Sequence, residues 1–284
     1  TAANAPAVTS QDLAPGTWPA RLGVQPGDTV MLMADLTRMA WNARRAGIAF
    51  VPGSMLDAFL KAVAPGGTLL VPTFTYDLSD GAAFDVRTTP SISGALARVA
   101  LEHPAFRRTA HPLHSFAVAG GDSEQLAARV HPGSFDANSP FAHLLRNNAR
   151  LIAIDLPAND AFTFVHHAEE VAQVPYRRYR TMRFIHTDAQ GCTDERTFTL
   201  YAKRPGHINA FDALVPLLER AGALQQRELD GSSVMVVELA TAHRVVRADI
   251  REHGGRAIHR FSLERWGRDM LKAFLRKLVI QRRT

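Results

Sequence analysis

The amino-acid sequence predicts an α/β fold with an antiparallel portion in the C-terminal half of the chain. Short apolar segments bounded by glycine and proline alternate with segments of helical periodicity, which is typical of strands alternating with helices. Of the 284 residues, 46% are hydrophobic and 21% are charged, as in ordinary globular proteins that bury a core. No apolar run approaches the roughly 20 residues of a membrane-spanning helix, so we expect no membrane partner.

The first half of the chain carries most of this alternation. Turns rich in glycine and proline precede the first two strands, and a serine begins the fourth element, which Pro104 ends. The predicted elements, in order, are a strand at 29–33, a helix at 53–64, a strand at 68–71, a helix at 91–103, a strand at 115–119, helices at 123–130 and 139–145, and a strand at 150–155.

A central helix is expected after Asp160, a fair N-cap residue, and before Pro175, which stops it. The antiparallel portion follows, because two runs of alternating polarity flank the turn Ala189-Gln-Gly191 as in a hairpin. The later predicted elements are a hairpin of 183–186 and 196–200, a helix at 211–221, a strand at 233–239, and a basic amphipathic helix at about 263–280.

The two ends of the chain differ in composition from its body. Residues 1–20 are rich in Ala, Thr and Pro without an apolar segment of signal-peptide type, so we expect a loose arm before a single domain at 21–284. Residues 264–284 hold seven Lys or Arg against two acids, a charge of +5 in a chain of net +6. Such a tail is more often a solvated helix face than a nucleic-acid site, so we expect no nucleic-acid partner.

Cysteine usage bounds the chemistry and the compartment. Cys192 is the one cysteine, which excludes an internal disulfide and a zinc cage built from cysteines. A reducing compartment is the default for such a chain, so we expect a cytoplasmic location.

The central helix carries the side chains most suited to catalysis. Residues three and four apart share a helix face, so His166 has Glu169 and Glu170 as neighbours, whereas His167 has Glu170. A carboxylate beside an imidazole fixes its tautomer and makes it a better base near neutral pH. A solvated surface pair is the commoner outcome for such spacing, but the turn-rich strand-to-helix connection before it is where α/β proteins place their sites.

A metal site is the first rival interpretation. His111, His114, His166, His167 and Glu169 supply nitrogen and oxygen ligands that suit zinc or iron. However, histidines three apart in an extended segment point to opposite faces, and the zincin pattern of two histidines around a glutamate is missing. We therefore expect no metal.

Nucleotide and hydrolase motifs are missing as well. The sequence has no phosphate-binding loop, no dinucleotide-binding glycine motif and no nucleophile elbow around a serine. A His–Glu base remains, with hydroxyls at two strand ends (Thr73, Thr75 and Ser115), which fits removal of a proton from a nucleophile during transfer of an activated group.

Several stretches together resemble the aminoglycoside 3-N-acetyltransferase family, which uses acetyl-CoA. They cover about residues 22–178. Each motif alone has low specificity, but five of them in the same order are fairly specific. The run Val174-Pro-Tyr-Arg177 is similar to members associated with sugar or secondary-metabolite pathways. The motifs are Leu22-Gly-Val-x-Pro-Gly-Asp-Thr-Val, Gly66-Gly-Thr-Leu-Leu-Val-Pro-Thr-Phe-Thr75, Arg108-x-x-His-Pro-Leu-His-Ser-Phe-Ala117, Asn138-Ser-Pro-Phe141 and Thr163-x-x-His-x-x-Glu169.

The resemblance implies a central mixed sheet with helices on both faces and a direct acetyl transfer. His166 takes the family's place of the base that deprotonates the acceptor amine, Glu169 orients it, and Asp160 helps position the acceptor. The cleft for acetyl-CoA then involves the first strand exit, the end of the second strand and the His-Ser stretch. The implied residues are Met33, Ala34, Asp35, Leu36, Thr73, Phe74, Thr75, His111 and Ser115.

Two departures from the family pattern bear on function. Met33-Ala34 stands where the family typically has His-Ser, and Ala161-Phe162 where resistance enzymes tend to have Ser-Asn. The aromatic residue suggests an acceptor less polar than a polycationic aminoglycoside, and His167 is expected to cover the helix face. The competing hypothesis is a binding or accessory protein that no longer uses CoA. The acceptor amine stays open, and so does the choice between monomer and homodimer.

Overall fold

The fold was analysed in a computed structural model, which describes the backbone of residues 15–281 and the side chains of 16–272 and 274. The described strands are β1 (Thr29–Ala34), β2 (Thr68–Pro72), β3 (Ala83–Asp85), β4 (Arg107–Arg108), β5 (Phe116–Gly120), β6 (Arg150–Ile154), β7 (Arg177–Thr187), β8 (Thr193–Lys203), β9 (His207–Asn209), β10 (Leu224–Leu229), β11 (Ser232–Glu238) and β12 (His259–Phe261). The described α-helices are α1 (Trp18–Arg21), α2 (Thr37–Arg45), α3 (Pro52–Val63), α4 (Ala95–Glu102), α5 (Ser123–Ala128), α6 (Pro140–Arg146), α7 (Ala158–Ala161), α8 (Val165–Val171), α9 (Val215–Arg220), α10 (Leu239–His253) and α11 (Leu263–Gln281).

A seven-stranded mixed sheet in the order β10-β11-β6-β1-β2-β5-β4 forms the centre of the fold. Its three middle strands, β6, β1 and β2, run parallel to one another. The flanking strands pair antiparallel on both sides, β11 with β6 and β5 with β2. The predicted α/β class with a mixed sheet is confirmed, although antiparallel pairing occurs in both halves of the chain.

Helices cover both faces of this sheet, because the strand side chains alternate between two cores. Val30 and Leu32 of β1 point into a core that α3 and α4 close with Met55, Phe59 and Leu96. Met31 points to the other side, into a core shared with α6, α8 and α10. The alternation along one strand therefore separates two hydrophobic layers.

The predicted hairpin is longer than the sequence indicated. β7 and β8 pair antiparallel along their whole length, and β3 adds parallel to β7 to complete a three-stranded sheet. The hairpin was predicted from its tip, where polarity alternates, whereas its base at Arg177 and Lys203 has no such pattern. That base forms one wall of the cavity described below.

Several elements escaped prediction: the short α1, β3, β4, β9 and β12, and the longer α2, β10 and α10. Helix α2 has only Met39 and Ala43 buried, too few apolar positions to show a periodic stripe. Strand β10 also lacks an alternating apolar pattern, since only Leu224 and Leu229 at its ends are buried. Helix α10 buries Leu239, Ala242, Val246 and Asp249, a helical spacing that was readable in the sequence.

The ends of the chain and the central helix also differ from expectation. The central helix is two pieces, α7 and α8, so Asp160 lies inside α7 rather than at an N-cap. The loose arm predicted for residues 1–20 lies outside the described residues up to residue 14. From Pro15 the chain is helical, and Trp18 is buried in the α3 core.

No helix that the structure describes between residues 15 and 281 is both long and apolar enough to cross a membrane. The basic helix α11 exposes apolar side chains such as Leu263 and Phe274 along with its charges.

We expect Phe59→Ala to lower the free energy of unfolding by about 3–5 kcal/mol, because it leaves a cavity in the α3 core. Phe59 is completely buried there. Urea denaturation measures the change, with Trp41→Ala on the exposed side of α2 as the control, expected to stay within about 0.5 kcal/mol. Equal losses in both variants would contradict this description of the core.

Candidate active site

A cavity of about 1030 Å³ opens where the parallel strands end. The segments after β1, β2 and β6 all contribute to its wall, as expected at the carboxyl edge of a parallel sheet. The N-terminal turn of α4 and the base of the β7–β8 hairpin close its sides. The volume suits an extended small molecule together with a second, smaller one.

The exit of β1 lies in the cavity wall, at Met33, Ala34, Asp35 and Leu36. Asp35 turns the chain into α2, since its Oδ1 accepts a hydrogen bond of 2.9 Å from the backbone N–H of Thr37. Hydrogen bonds from Thr37 lower the pKa of the Asp35 carboxyl. These four predicted residues therefore do face the cavity, with a carboxylate and several apolar groups.

His166 lies in the cavity wall, and a buried carboxylate behind it sets its orientation. Its Nδ1 is 2.6 Å from Oε2 of Glu169, one helical turn further along α8. A carboxylate can only accept, so Nδ1 carries the proton and donates. The second ring nitrogen, Nε2, is then unprotonated, and Arg177 NH2 lies 3.4 Å from it.

Arg177, at the start of β7, completes the arrangement. Its Nε is 2.7 Å from the same Glu169 oxygen, and its NH1 donates to the carbonyl of Tyr201 on β8. Its NH2 is also 2.7 Å from His166 Nδ1, but that nitrogen cannot accept while it donates to Glu169. The carboxylate only accepts, so the proton stays on Nδ1 and is donated to Glu169, and the guanidinium of Arg177 is the counterion of Glu169.

Burial and Arg177 together lower the pKa of His166 to about 4, although Glu169 opposes the shift. Burial by itself would raise the pKa of Glu169, but the charges of His166 and Arg177 lower it overall. At neutral pH the pair is therefore a neutral imidazole and a carboxylate. A neutral imidazole with a fixed tautomer can act as a general base.

The structure resolves which glutamate partners His166. Glu170 points away from His166 and accepts a hydrogen bond of 3.1 Å from the hydroxyl of Tyr179. Burial raises the pKa of Glu170 to about 6. His167 is buried too, and its Nδ1 contacts the carbonyl of Phe135 at 2.6 Å, so it supports packing outside the cavity wall.

Four of the residues implied for cofactor binding lie behind the wall instead of in it. Thr73, Thr75, His111 and Ser115 are completely or almost completely buried, and none of them lines the cavity. Their polar groups are occupied: Thr73 Oγ1 and Ser115 Oγ are 3.0 Å apart, and His111 Nδ1 accepts backbone N–H bonds. We therefore assign these four residues a supporting role behind the wall and no direct contact with a cofactor.

His114, Phe74 and Asp160 do line the cavity. The segment around His111 is a turn, not an extended strand, so His111 and His114 both reach Ser134, whose Oγ is 3.2 Å from His111 Nε2 and 2.9 Å from His114 Nδ1. Within residues 15–281, no group of three or more His, Cys, Asp or Glu is arranged to hold a metal ion.

Phe162 corrects one inference drawn from the sequence. It is completely buried in the core beside α8 and does not reach the cavity. It therefore carries no information on the polarity of the acceptor, which other residues must determine.

Sequence reasoning missed two cations of the site, Arg177 and Lys203. The Nζ of Lys203 donates to Asn209 Oδ1 at 2.8 Å, and both residues lie in the cavity wall. Arg177 follows Pro175 and is outside the helix, so helical spacing could not connect it to Glu169. Lys203 ends a half-buried strand, where a lysine is unremarkable and offers no signal.

Buried histidines make the fold sensitive to acid. Burial lowers the pKa of His111, His114 and His166, so each stays neutral in the folded protein but is protonated below about pH 6.5 when unfolded. The unfolded state then binds more protons, and stability decreases as pH falls. Glu170 has a raised pKa and therefore binds a proton more readily in the folded state, which opposes the loss of stability, but it is one group against three histidines.

We therefore expect the free energy of unfolding, and with it the urea midpoint, to decrease between pH 7.5 and 5.5, with a loss of up to about 1.4 kcal/mol in free energy for each fully buried histidine. Equilibrium unfolding at the two pH values measures it. His114→Gln should reduce the pH dependence, whereas His253→Gln on the exposed end of α10 should not. Equal or greater stability at pH 5.5 would contradict the neutral state of these side chains.

Comparison with known proteins identifies the family of the chain. The family model for aminoglycoside 3-N-acetyltransferase matches residues 31–250. Aminoglycoside N(3)-acetyltransferase VII of Streptomyces paromomycinus is 25% identical over 263 residues, which cover 82% of this chain and 86% of that protein. Aminoglycoside N(3)-acetyltransferase IV of Salmonella is 29% identical over 158 residues, but this match spans only 57% of its length and 55% of this chain.

Solved structures agree with this assignment. The crystal structure of aminoglycoside acetyltransferase AAC(3)-Xa superposes with a TM-score of 0.73 and 26% identity, covering 86% of this chain and 94% of that one. A binary complex of AAC-IIIb with CoASH, at 23% identity, shares the fold with a TM-score of 0.69 and covers 84% of this chain and 96% of its own. The predicted resemblance is confirmed: the chain belongs to the aminoglycoside 3-N-acetyltransferase family.

Proposed function

We propose that this protein is an acetyl-CoA-dependent N-acetyltransferase that acts on an amine of a small molecule. The observation that carries the proposal is His166, held by the buried Glu169 in the wall of a large cavity at the carboxyl edge of the sheet. A relative of the same fold is described with CoASH bound, and others with the aminoglycosides sisomicin and apramycin. Those ligands are properties of the relatives and support the reaction class.

The residues of the cavity fit an acyl thioester. Met33, Ala34, Leu36 and Phe74 contribute apolar groups to the cavity wall, which suit the pantetheine arm and the acetyl group. The volume of about 1030 Å³ leaves room for an acceptor next to it. When bound, acetyl-CoA supplies a thioester carbonyl that a neutral amine can attack.

His166 provides the base for this attack. Nδ1 donates to Glu169, so Nε2 accepts the proton that the amine loses as the new C–N bond forms and the C–S bond breaks. The imidazolium then passes this proton to the departing sulfur, so that CoA leaves as the thiol. Glu169 stabilises the imidazolium formed in this step, and Arg177 keeps Glu169 ionised. Asp160 lies exposed in the same wall. Its carboxylate attracts the ammonium form of the acceptor, which becomes a neutral amine before it attacks.

The substitution of the typical His-Ser by Met33-Ala34 favours a second candidate, a protein that keeps the fold and binds ligands without using CoA. Calorimetric titration with CoA separates the two. We expect a dissociation constant in the micromolar range for the transferase. No binding at millimolar CoA would support the binding protein instead.

Glu169→Gln is expected to lower kcat by about 10²-fold or more, because an amide neither fixes the imidazole tautomer nor stabilises the charge that develops on it. His166→Ala should lower it further. Release of the CoA thiol, followed with acetyl-CoA and an acceptor panel, measures the rates.

The neighbouring Glu170→Gln is the matched control, since it makes the same change one residue away, where the carboxyl contacts Tyr179. It should keep kcat within a few fold. Full activity in His166→Ala, or equal losses in the two glutamine variants, would refute the assigned mechanism.

A further inference from the structure

The cavity wall carries charges of both signs. It holds two carboxylates, Asp35 and Asp160, and two cations, Arg177 and Lys203. Arg177 is paired with Glu169, whereas Asp35 accepts one backbone hydrogen bond and keeps its negative charge. The carboxylates of Asp35 and Asp160 and one ammonium, on Lys203, are therefore left to meet a ligand.

Lys203 is the unexplained group among these. Its ammonium has three N–H donors, of which one goes to Asn209. Within the described chain, no carboxylate lies at ion-pair distance from it. The nearby Asp269 is paired with Arg265 and accepts from the backbone of Gly206.

Lys203 keeps its charge at neutral pH, although burial and Arg177 lower its pKa to about 8. A half-buried ammonium with free donors attracts anions and repels a second ammonium. An ammonium of the ligand placed beside Lys203 would meet this repulsion, so Asp35 and Asp160 are the wall groups that attract it.

The remainder of the wall is mostly apolar. Apart from the side chains assigned above to the pantetheine arm, Phe50, Ile92, Leu96, Leu156 and the ring of Tyr76 line it. Such a surface stabilises a ligand with an apolar body, whereas a sugar ring covered in hydroxyls would leave its donors without partners here.

We propose that the acceptor is a small amine with an apolar body and one anionic group, and that Lys203 binds the anionic group. The proposal rests on the proposed function, because it concerns the acceptor of the same transfer. It makes Lys203 a residue that determines specificity and takes no part in the proton transfer from the amine.

Matched amines that differ in one carboxylate test this directly. The pairs are phenylalanine with phenethylamine and 6-aminohexanoate with hexylamine, compared with sisomicin as the polycation. Thiol release from acetyl-CoA gives kcat/KM for each amine. We expect the wild-type protein to favour the carboxylated member of an active pair at least tenfold.

In Lys203→Met this preference should fall to about one, whereas Lys61→Met, an exposed lysine of α3, should keep it. Lys203→Glu should bind sisomicin at least tenfold more tightly than the wild type in calorimetry. This binding measurement tests the role of Lys203 even if the protein acetylates none of the paired amines. Circular dichroism and the melting temperature establish that both variants of Lys203 fold.

A micromolar KM for sisomicin in the wild type would overturn the inference, and so would an unchanged preference in Lys203→Met or equal sisomicin affinity in Lys203→Glu. Each of these results leaves the transferase itself intact. Failure of the proposed function is seen separately, as a wild-type protein that does not bind CoA.

Discussion

The buried carboxylate of Glu169 is the group on which the site depends. It is almost fully excluded from solvent, and a charge in that position is stable only because two partners contact it. His166 and Arg177 reach the same oxygen, at 2.6 and 2.7 Å. The carboxylate thereby orients the imidazole and fixes the start of β7 against α8.

The surrounding fold holds these three side chains in register. Helix α8 places His166 and Glu169 one turn apart, and the turn after it brings Arg177 back beside them. Two further bonds tie this turn to β8: Arg177 donates to the Tyr201 carbonyl, and the Tyr201 hydroxyl donates to the carbonyl of Val174. Behind the turn, the ring of Tyr176 stacks on His259 with 3.5 Å between centroids. His259 therefore supports the turn behind the catalytic pair from outside the cavity wall.

Much of the fold was predictable because strands and helices of the first half have strong local signals. The apolar strands at β1, β2 and β6, and the glycine and proline turns between them, place the sheet and its carboxyl edge. A carboxylate partner for His166 follows from helical spacing alone. The choice of Glu169 over Glu170 does not, because both satisfy that spacing and only the packing of α8 against β7 distinguishes them.

The rest of the site depends on contacts between distant segments. Arg177 and Lys203 come together through the pairing of β7 with β8, which joins residues 26 positions apart. His111 and Ser115 had the right residue types for a binding cleft, yet the turn at Pro112 directs them into the interior. Their burial is a property of tertiary packing, which a sequence motif does not report. The aromatic Phe162 shows the same limit, since its ring fills the core and not the cavity.

The most direct test of the account is the protonation state of His166, measured by nitrogen NMR on protein labelled at histidine, with the signal assigned by its loss in His166→Asn. We predict a neutral ring with its proton on Nδ1 throughout pH 5–8, and a mixture of tautomers once Glu169 is replaced by Gln. A ring that is charged at pH 7, or one that carries its proton on Nε2, would contradict the central claim that Glu169 holds His166 ready as the base.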